Sequence, residues 1–184
     1  MERLETRLDG PILVKPAVHR DARGFFLEAY RRSAYTELGI PDEFLQDNHS
    51  RSGHGVVRGM HYQAGMAKLV RCATGSVLDA VVDMRRGSPT FGEWESFELS
   101  DENSHSLYCP IGFAHGFCVT SESADVLYKC SAYYDESAEG GFAYDDPDVG
   151  IEWPDIELVP SQRDANAPRL RDIEDELPFT YEGG

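Results

Sequence analysis

Between Gln46 and Gln63 the chain reads QDNHSRSGHGVVRGMHYQ, and PIGFAHGF follows from Pro110. Histidines, arginines and amides are interleaved there with residues suited to half-buried strands. A polar group buried without a partner costs free energy, so this many aimed at one place point to a pocket for a charged ligand. Imidazoles can move protons near neutral pH, and guanidiniums can hold a phosphate. Such a pocket is a candidate for acid–base work on an anion.

The elements that must position these groups are mostly strands. Pro11 to Val18 and Gly24 to Tyr30 read as the first two, separated by a turn at Asp21-Ala22-Arg23. Ser33 is placed to cap a short helix that Gly39 closes. Further strands are expected over Val56 to Gln63, Ala67 to Ala73, Ser76 to Met84, Trp94 to Leu99, Leu107 to Cys109, Gly116 to Thr120 and Asp125 to Tyr133. Many short strands joined by turn residues predict a sandwich or barrel. Beyond Asp135 the sequence turns acidic and irregular, with Ile151 and Trp153 able to pin it to the barrel. The tail from Asn166 reads as one short helix before Pro178. We expect a single domain over 1–184, with a core at about 11–164 and a tail at 165–184.

Alternation along the strands sorts the polar residues by face. Tyr128 falls with Val126, Cys130 and Ala132 on the interior side, while Lys129 faces the other way. Tyr128 is then either a core tyrosine bonded to a carbonyl or a group with a task. Lys68 falls with Val70 and Cys72, directed inward unless its ammonium reaches solvent. His61 shares a face with Val57, Gly59 and Gln63, and Arg58 lies opposite. For Arg58 and His61 to line one cavity the strand must slip by a residue, and Gly59 is the natural site for that bulge.

The segment Pro110–His115 is similar to the P-x-G-x-x-H turn of cupin barrels, and we expect an all-β, cupin-like jelly roll with a few short helices. Metal-binding cupins add H-x-H and a Glu. Here His61-Tyr62-Gln63 supplies one histidine, and Ala67 and Lys68 occupy the positions of the Glu. A cation there repels a metal, so no metal is expected.

The bulk composition narrows the partners. A formal net charge of −16, with three lysines against fourteen arginines, excludes an ordinary nucleic-acid surface, which needs Lys and Arg to neutralise phosphates. Any bound anion then needs a local basic cluster against a repulsive global field. The scarcity of lysine also suits a high-salt interior, and stability rising between low and molar salt would be its mark. Cys72, Cys109, Cys118 and Cys130 stand singly in apolar surroundings and read as free thiols of a reducing cytoplasm. No apolar run approaches the roughly 20 residues of a membrane span, and the charged N-terminus is not expected to act as a signal peptide.

The segments DARGFF, FLQDNHS, VVRGMHYQ, AKLVRCATGSVLDAVVDMRRGSPTFG, PIGFAHGF, VLYKCSAYY, GIEWP and SQRD, in this order, resemble the dTDP-4-dehydrorhamnose 3,5-epimerase family from about Pro11 to Leu170. The resemblance implies cofactor-free epimerisation at C3 and C5 of dTDP-4-dehydro-6-deoxy-D-glucose in a cytoplasmic homodimer. A relative that inverts only C3 or only C5 is the alternative. It further implies His61 as base, Asp164 as its orienting partner, Lys68 at the C4 oxygen and Tyr128 as acid. Arg23, Arg58 and Arg163 are implied as contacts to the diphosphate and its neighbours, and Glu28, Gln46, Asn48, His115 and Glu139 as further ligand contacts. Arg23 and Glu28, on the N-terminal strands, are expected to complete the partner's site. Three positions depart from the family: Arg163 replaces the usual Lys, His19 a common Phe, and Ile111 a common Glu.

Overall fold

The computed structural model describes residues 1–183. In chain order the strands are β1 (Glu2–Leu4), β2 (Ile12–Lys15), β3 (Val18–Asp21), β4 (Gly24–Leu27), β5 (Gln46–Gly53), β6 (Val56–Gln63) and β7 (Lys68–Thr74). They continue as β8 (Ser76–Asp83), β9 (Trp94–Ser100), β10 (Ser106–Cys109), β11 (Phe113–Val119), β12 (Ser123–Cys130), β13 (Glu139–Gly141) and β14 (Val159–Pro160). Short helices α1 (Arg32–Glu37), α2 (Gln162–Ala165) and α3 (Leu170–Ile173) complete the α content. One sheet runs β1-β2-β10-β7-β12-β5 and the other β13-β6-β11-β8-β9, with β14 added in parallel beside β6. The two sheets form the expected cupin-like jelly roll.

Burial follows the alternation. Val70, Cys72, Val77, Val81, Leu99, Leu107, Phe117, Val119 and Val126 meet between the sheets as the inner core. The outer face of the first sheet is covered by Tyr35 and Ile40, which pack on Ile12, Val14, Ala67, Leu69 and Tyr108. The outer face of the second sheet is covered from the C-terminal side, where Phe142, Leu170, Leu177 and Phe179 pack on Met60, Ala80, Val82 and Ala114. Ile151 and Trp153 join that layer, as expected, and the Trp153 indole N–H donates to the Tyr144 carbonyl at 2.8 Å. The tail is therefore a structural cover.

Several boundaries differ from the sequence expectation. The expected opening strand Pro11 to Val18 stops at Lys15 as β2, before Pro16, and Val18 begins the separate strand β3; proline has no N–H to give a ladder. Ser33 lies inside α1, whose N-cap is Arg31 with no side-chain hydrogen bond. Gly39 does end the helix, with φ of 95° and its N–H on the Thr36 carbonyl. The polar segment Gln46–Gly53 is a full strand along the sheet edge. α3 and the following 3₁₀ turn Glu174–Glu176 occupy the expected helix before Pro178.

The bulge in β6 is present. His115 pairs with His61 and Phe117 with Arg58, so Gly59 and Met60 together oppose the single residue Gly116. Gly59 has φ of 150°, and a Cβ there would sit 2.6 Å from the Gly116 Cα. Backbone cannot yield as a side chain end can. Gly59→Ala should therefore destabilise the protein by about 3 kcal/mol, the upper part of the ordinary range. For a chain of this size that lowers the thermal midpoint by roughly 6–12 °C in a melting scan. An unchanged midpoint would refute the tight approach.

Candidate active site

The bulge sets the face on which the chemistry sits. Met60 points to the outer core, so Arg58 and His61 come to the same side and line a cavity of about 450 Å³ between the sheets. Lys68 from β7 and Tyr128 from β12 reach it from the first sheet, and His115 from β11 from the second. Arg163 and Asp164 enter from α2. Arg58, Lys68 and Arg163 thus provide the local basic cluster that a chain of net charge −16 requires for an anion.

Asp164 is held by its surroundings. β14 hydrogen-bonds beside Val56 and Val57, and Ser161 caps α2 by accepting from the Asp164 N–H at 3.1 Å. Asp164 is 3% exposed, and its Oδ1 lies 2.6 Å from His61 Nε2. A carboxylate only accepts, so Nε2 carries the hydrogen and Nδ1 keeps the lone pair. The Cδ2 edge of the ring faces Gly141, where a Cβ would come within 3.3 Å. Burial lowers the His61 pKa below its ordinary 6.5, and Lys68 and Arg163 add to this, whereas Asp164 opposes it. The net direction favours the neutral imidazole, the form a base needs.

Tyr128 is shifted the other way. Burial raises its phenol and the nearby Cys130 and Glu139 charges add, against Asn48 and Arg58. The phenol stays protonated, the form an acid needs. His61 is therefore biased toward its neutral form and Tyr128 toward its protonated form, on the two facing sheets.

The other residues singled out in the sequence divide into two groups. Arg58 Nε donates to Ser52 Oγ at 3.0 Å, and Arg163 Nη1 to Glu139 Oε2 at 2.9 Å. Glu139 also accepts from the Tyr134 hydroxyl at 3.1 Å. Gln46 Nε2 donates to Asn48 Oδ1 at 3.1 Å, and Asn48 stands opposite Tyr128 in the β5–β12 register. Arg58 and Arg163 line the cavity and Glu139 holds Arg163, whereas Gln46 and Asn48 follow along β5 without lining it. Arg23 and Glu28 do not reach it within this chain. Arg23, 89% exposed, pairs with Asp21, and Glu28 pairs with Arg31 at 3.0 Å.

One buried neighbour of a cavity residue was not anticipated from the sequence. His115 Nε2 lies 2.9 Å from Oδ2 of Asp79, which is fully buried on β8. Burial raises the Asp79 carboxyl, with His115 and Lys68 opposing. An Asp inside the apolar run VLDAVV was the available signal. Among the described residues no three of His, Cys, Asp and Glu converge as a metal set. Nor is any helix long and apolar enough to cross a membrane.

Residues 5–172 match the family model described as dTDP-4-dehydrorhamnose 3,5-epimerase. The chain is 46% identical over 172 residues to the Salmonella typhimurium protein of that description, covering 91% of this chain and 94% of the relative. Identity to the Pseudomonas aeruginosa protein is 47% over 176 residues, covering 92% and 97%. The fold is similar, with a TM-score of 0.95, to the Legionella pneumophila epimerase RmlC solved with dTDP-4-keto-L-rhamnose; identity is 44% over 99% of each chain. It is also similar to ChmJ, a 3'-monoepimerase from Streptomyces bikiniensis, with a TM-score of 0.91 and 36% identity over 96% and 92%.

Proposed function

The chain belongs to the dTDP-4-dehydrorhamnose 3,5-epimerase family, and from that premise we infer that its cavity inverts C3 and C5 of dTDP-4-dehydro-6-deoxy-D-glucose. The product is dTDP-4-dehydro-L-rhamnose. The observation that carries this reading is one cavity lined by the His61–Asp164 pair, Lys68 and Tyr128.

Both centres are α to the C4 ketone. His61 takes the proton from one face through its free nitrogen, and the C–H electron pair moves into an enolate. Asp164 orients the ring and stabilises the imidazolium that results. Lys68, which forms no ion pair among the described residues, meets the negative charge on the C4 oxygen. Donors placed in this way are typically worth about 10²–10³ in rate. Tyr128 then gives its phenolic proton to the same carbon from the opposite face, and the configuration inverts. His61 returns its proton to solvent and Tyr128 regains one, so the cycle closes without redox change.

Arg58 and Arg163 hold the diphosphate, where planar guanidiniums match phosphate oxygens in pairs. Arg23 and Glu28 act in the site of a second copy. Their hairpin, β3–β4, pairs with neither main sheet among the described residues, and it carries Phe25 and Phe26 at 55% and 71% exposure. That apolar projection supports a homodimer, and the substrate and free thiols suit the cytoplasm.

Incubation with dTDP-4-dehydro-6-deoxy-D-glucose in D₂O, followed by NMR, tests the assignment. Deuterium should enter at both C3 and C5, with the L-rhamno ketone accumulating. Exchange at one carbon alone would reassign the chain as a mono-epimerase, and none at either would reject epimerase activity.

A further inference from the structure

The inner face of β5 carries a polar row. Its even-numbered residues Gln46, Asn48, Ser50 and Ser52 face inward, two residues apart. Three of the four are engaged within the protein. Gln46 donates to Asn48, Asn48 Nδ2 to Cys130 Sγ at 3.7 Å, and Ser52 Oγ accepts from Arg58. The fourth, Ser50, lines the same cavity as His61 and Tyr128, yet its Oγ is buried without a hydrogen-bond partner among the described residues. A buried hydroxyl left unpaired costs about 1–3 kcal/mol, and alanine would fill the site without that cost.

We propose that Ser50 is a substrate-positioning residue whose hydroxyl pairs with the C2 hydroxyl of the bound hexose. The inference rests on the epimerase assignment above. Register places the contact. Asn48 stands opposite Tyr128 and Ser50 opposite Val126, so Ser50 lies one step along the inner face from the phenol. One step further, Ser52 anchors Arg58. A substrate with its reacting carbons at Tyr128 and its diphosphate at Arg58 lays the intervening carbon of the ring, C2, against Ser50. A neutral hydroxyl, with one donor and two lone pairs, suits another hydroxyl, and a rotation about its Cα–Cβ bond is enough to present it.

The test compares wild type and Ser50→Ala on the dTDP-4-dehydro-6-deoxyhexose and on its 2-deoxy counterpart. Ser50→Ala should lower kcat/KM about 3–10-fold on the full substrate, the worth of one neutral hydrogen bond, and hardly at all on the 2-deoxy substrate. Affinity for dTDP, measured by calorimetry, should not change. The thermal midpoint of ligand-free Ser50→Ala should equal or exceed that of wild type, because no partner is lost. Equal losses on both substrates, no loss on the full one, or a lowered ligand-free midpoint would each overturn the role. A wild type inactive on both substrates would remove the epimerase assignment and this role together; an active wild type matched by Ser50→Ala would remove this role alone.

Discussion

His61→Ala should lower turnover by about 10²–10⁴-fold, the contribution typical of a positioned general base. Binding of dTDP should be nearly intact, because the cationic groups assigned to the diphosphate are Arg58 and Arg163. The loss should therefore fall on kcat, with dTDP affinity by calorimetry close to wild type. The pH profile adds an independent check. Burial holds the His61 pKa below 6.5, so the imidazole remains a competent base below that pH, and the acid limb of kcat/KM should lie on the low side of 6.5. In Asp164→Asn the charge that raises this pKa is gone. The acid limb should then move lower still while the rate falls, since both orientation and imidazolium stabilisation are weakened. Unchanged turnover in His61→Ala, or a limb well above 6.5, would remove His61 as the base.

How much of this was legible in the sequence depends on which forces left a local trace. The barrel strands were readable wherever one face is apolar, as in Lys68–Thr74 and Ser123–Cys130, because alternation reports which side is buried. β5 escaped notice because its inner face consists of Gln46, Asn48, Ser50 and Ser52. It is buried against a polar cavity, and its outer face is charged, so no alternation of hydrophobicity remains. The site pattern carried the opposite lesson. Arg58 and His61 fall on opposite faces of a regular strand, and a glycine between them is the one local sign that they need not. Pairings such as Asp79 with His115, 36 residues apart, leave no such sign. They are made by the register of two strands, and register is a property of the whole sheet.

Tyr128→Phe separates the two halves of the reaction. The substitution removes one oxygen and keeps the ring that packs against the inner core, so the fold and the cavity shape should survive. Proton removal by His61 does not use the phenol. In D₂O, His61 can still take a proton, exchange it with solvent and return deuterium to the face it came from. Exchange with retention should therefore continue, while inversion, which needs delivery from the other sheet, should fall by about 10²–10³-fold within the range expected for a lost general acid. NMR reads both quantities in one experiment, as deuterium in recovered substrate and as L-rhamno product. The raised phenol pKa makes the same point in wild type: inversion should persist to alkaline pH and decline only as Tyr128 ionises above its ordinary 10. Equal losses of exchange and inversion would mean that one group serves both faces, and the division of labour between the facing sheets would have to be abandoned.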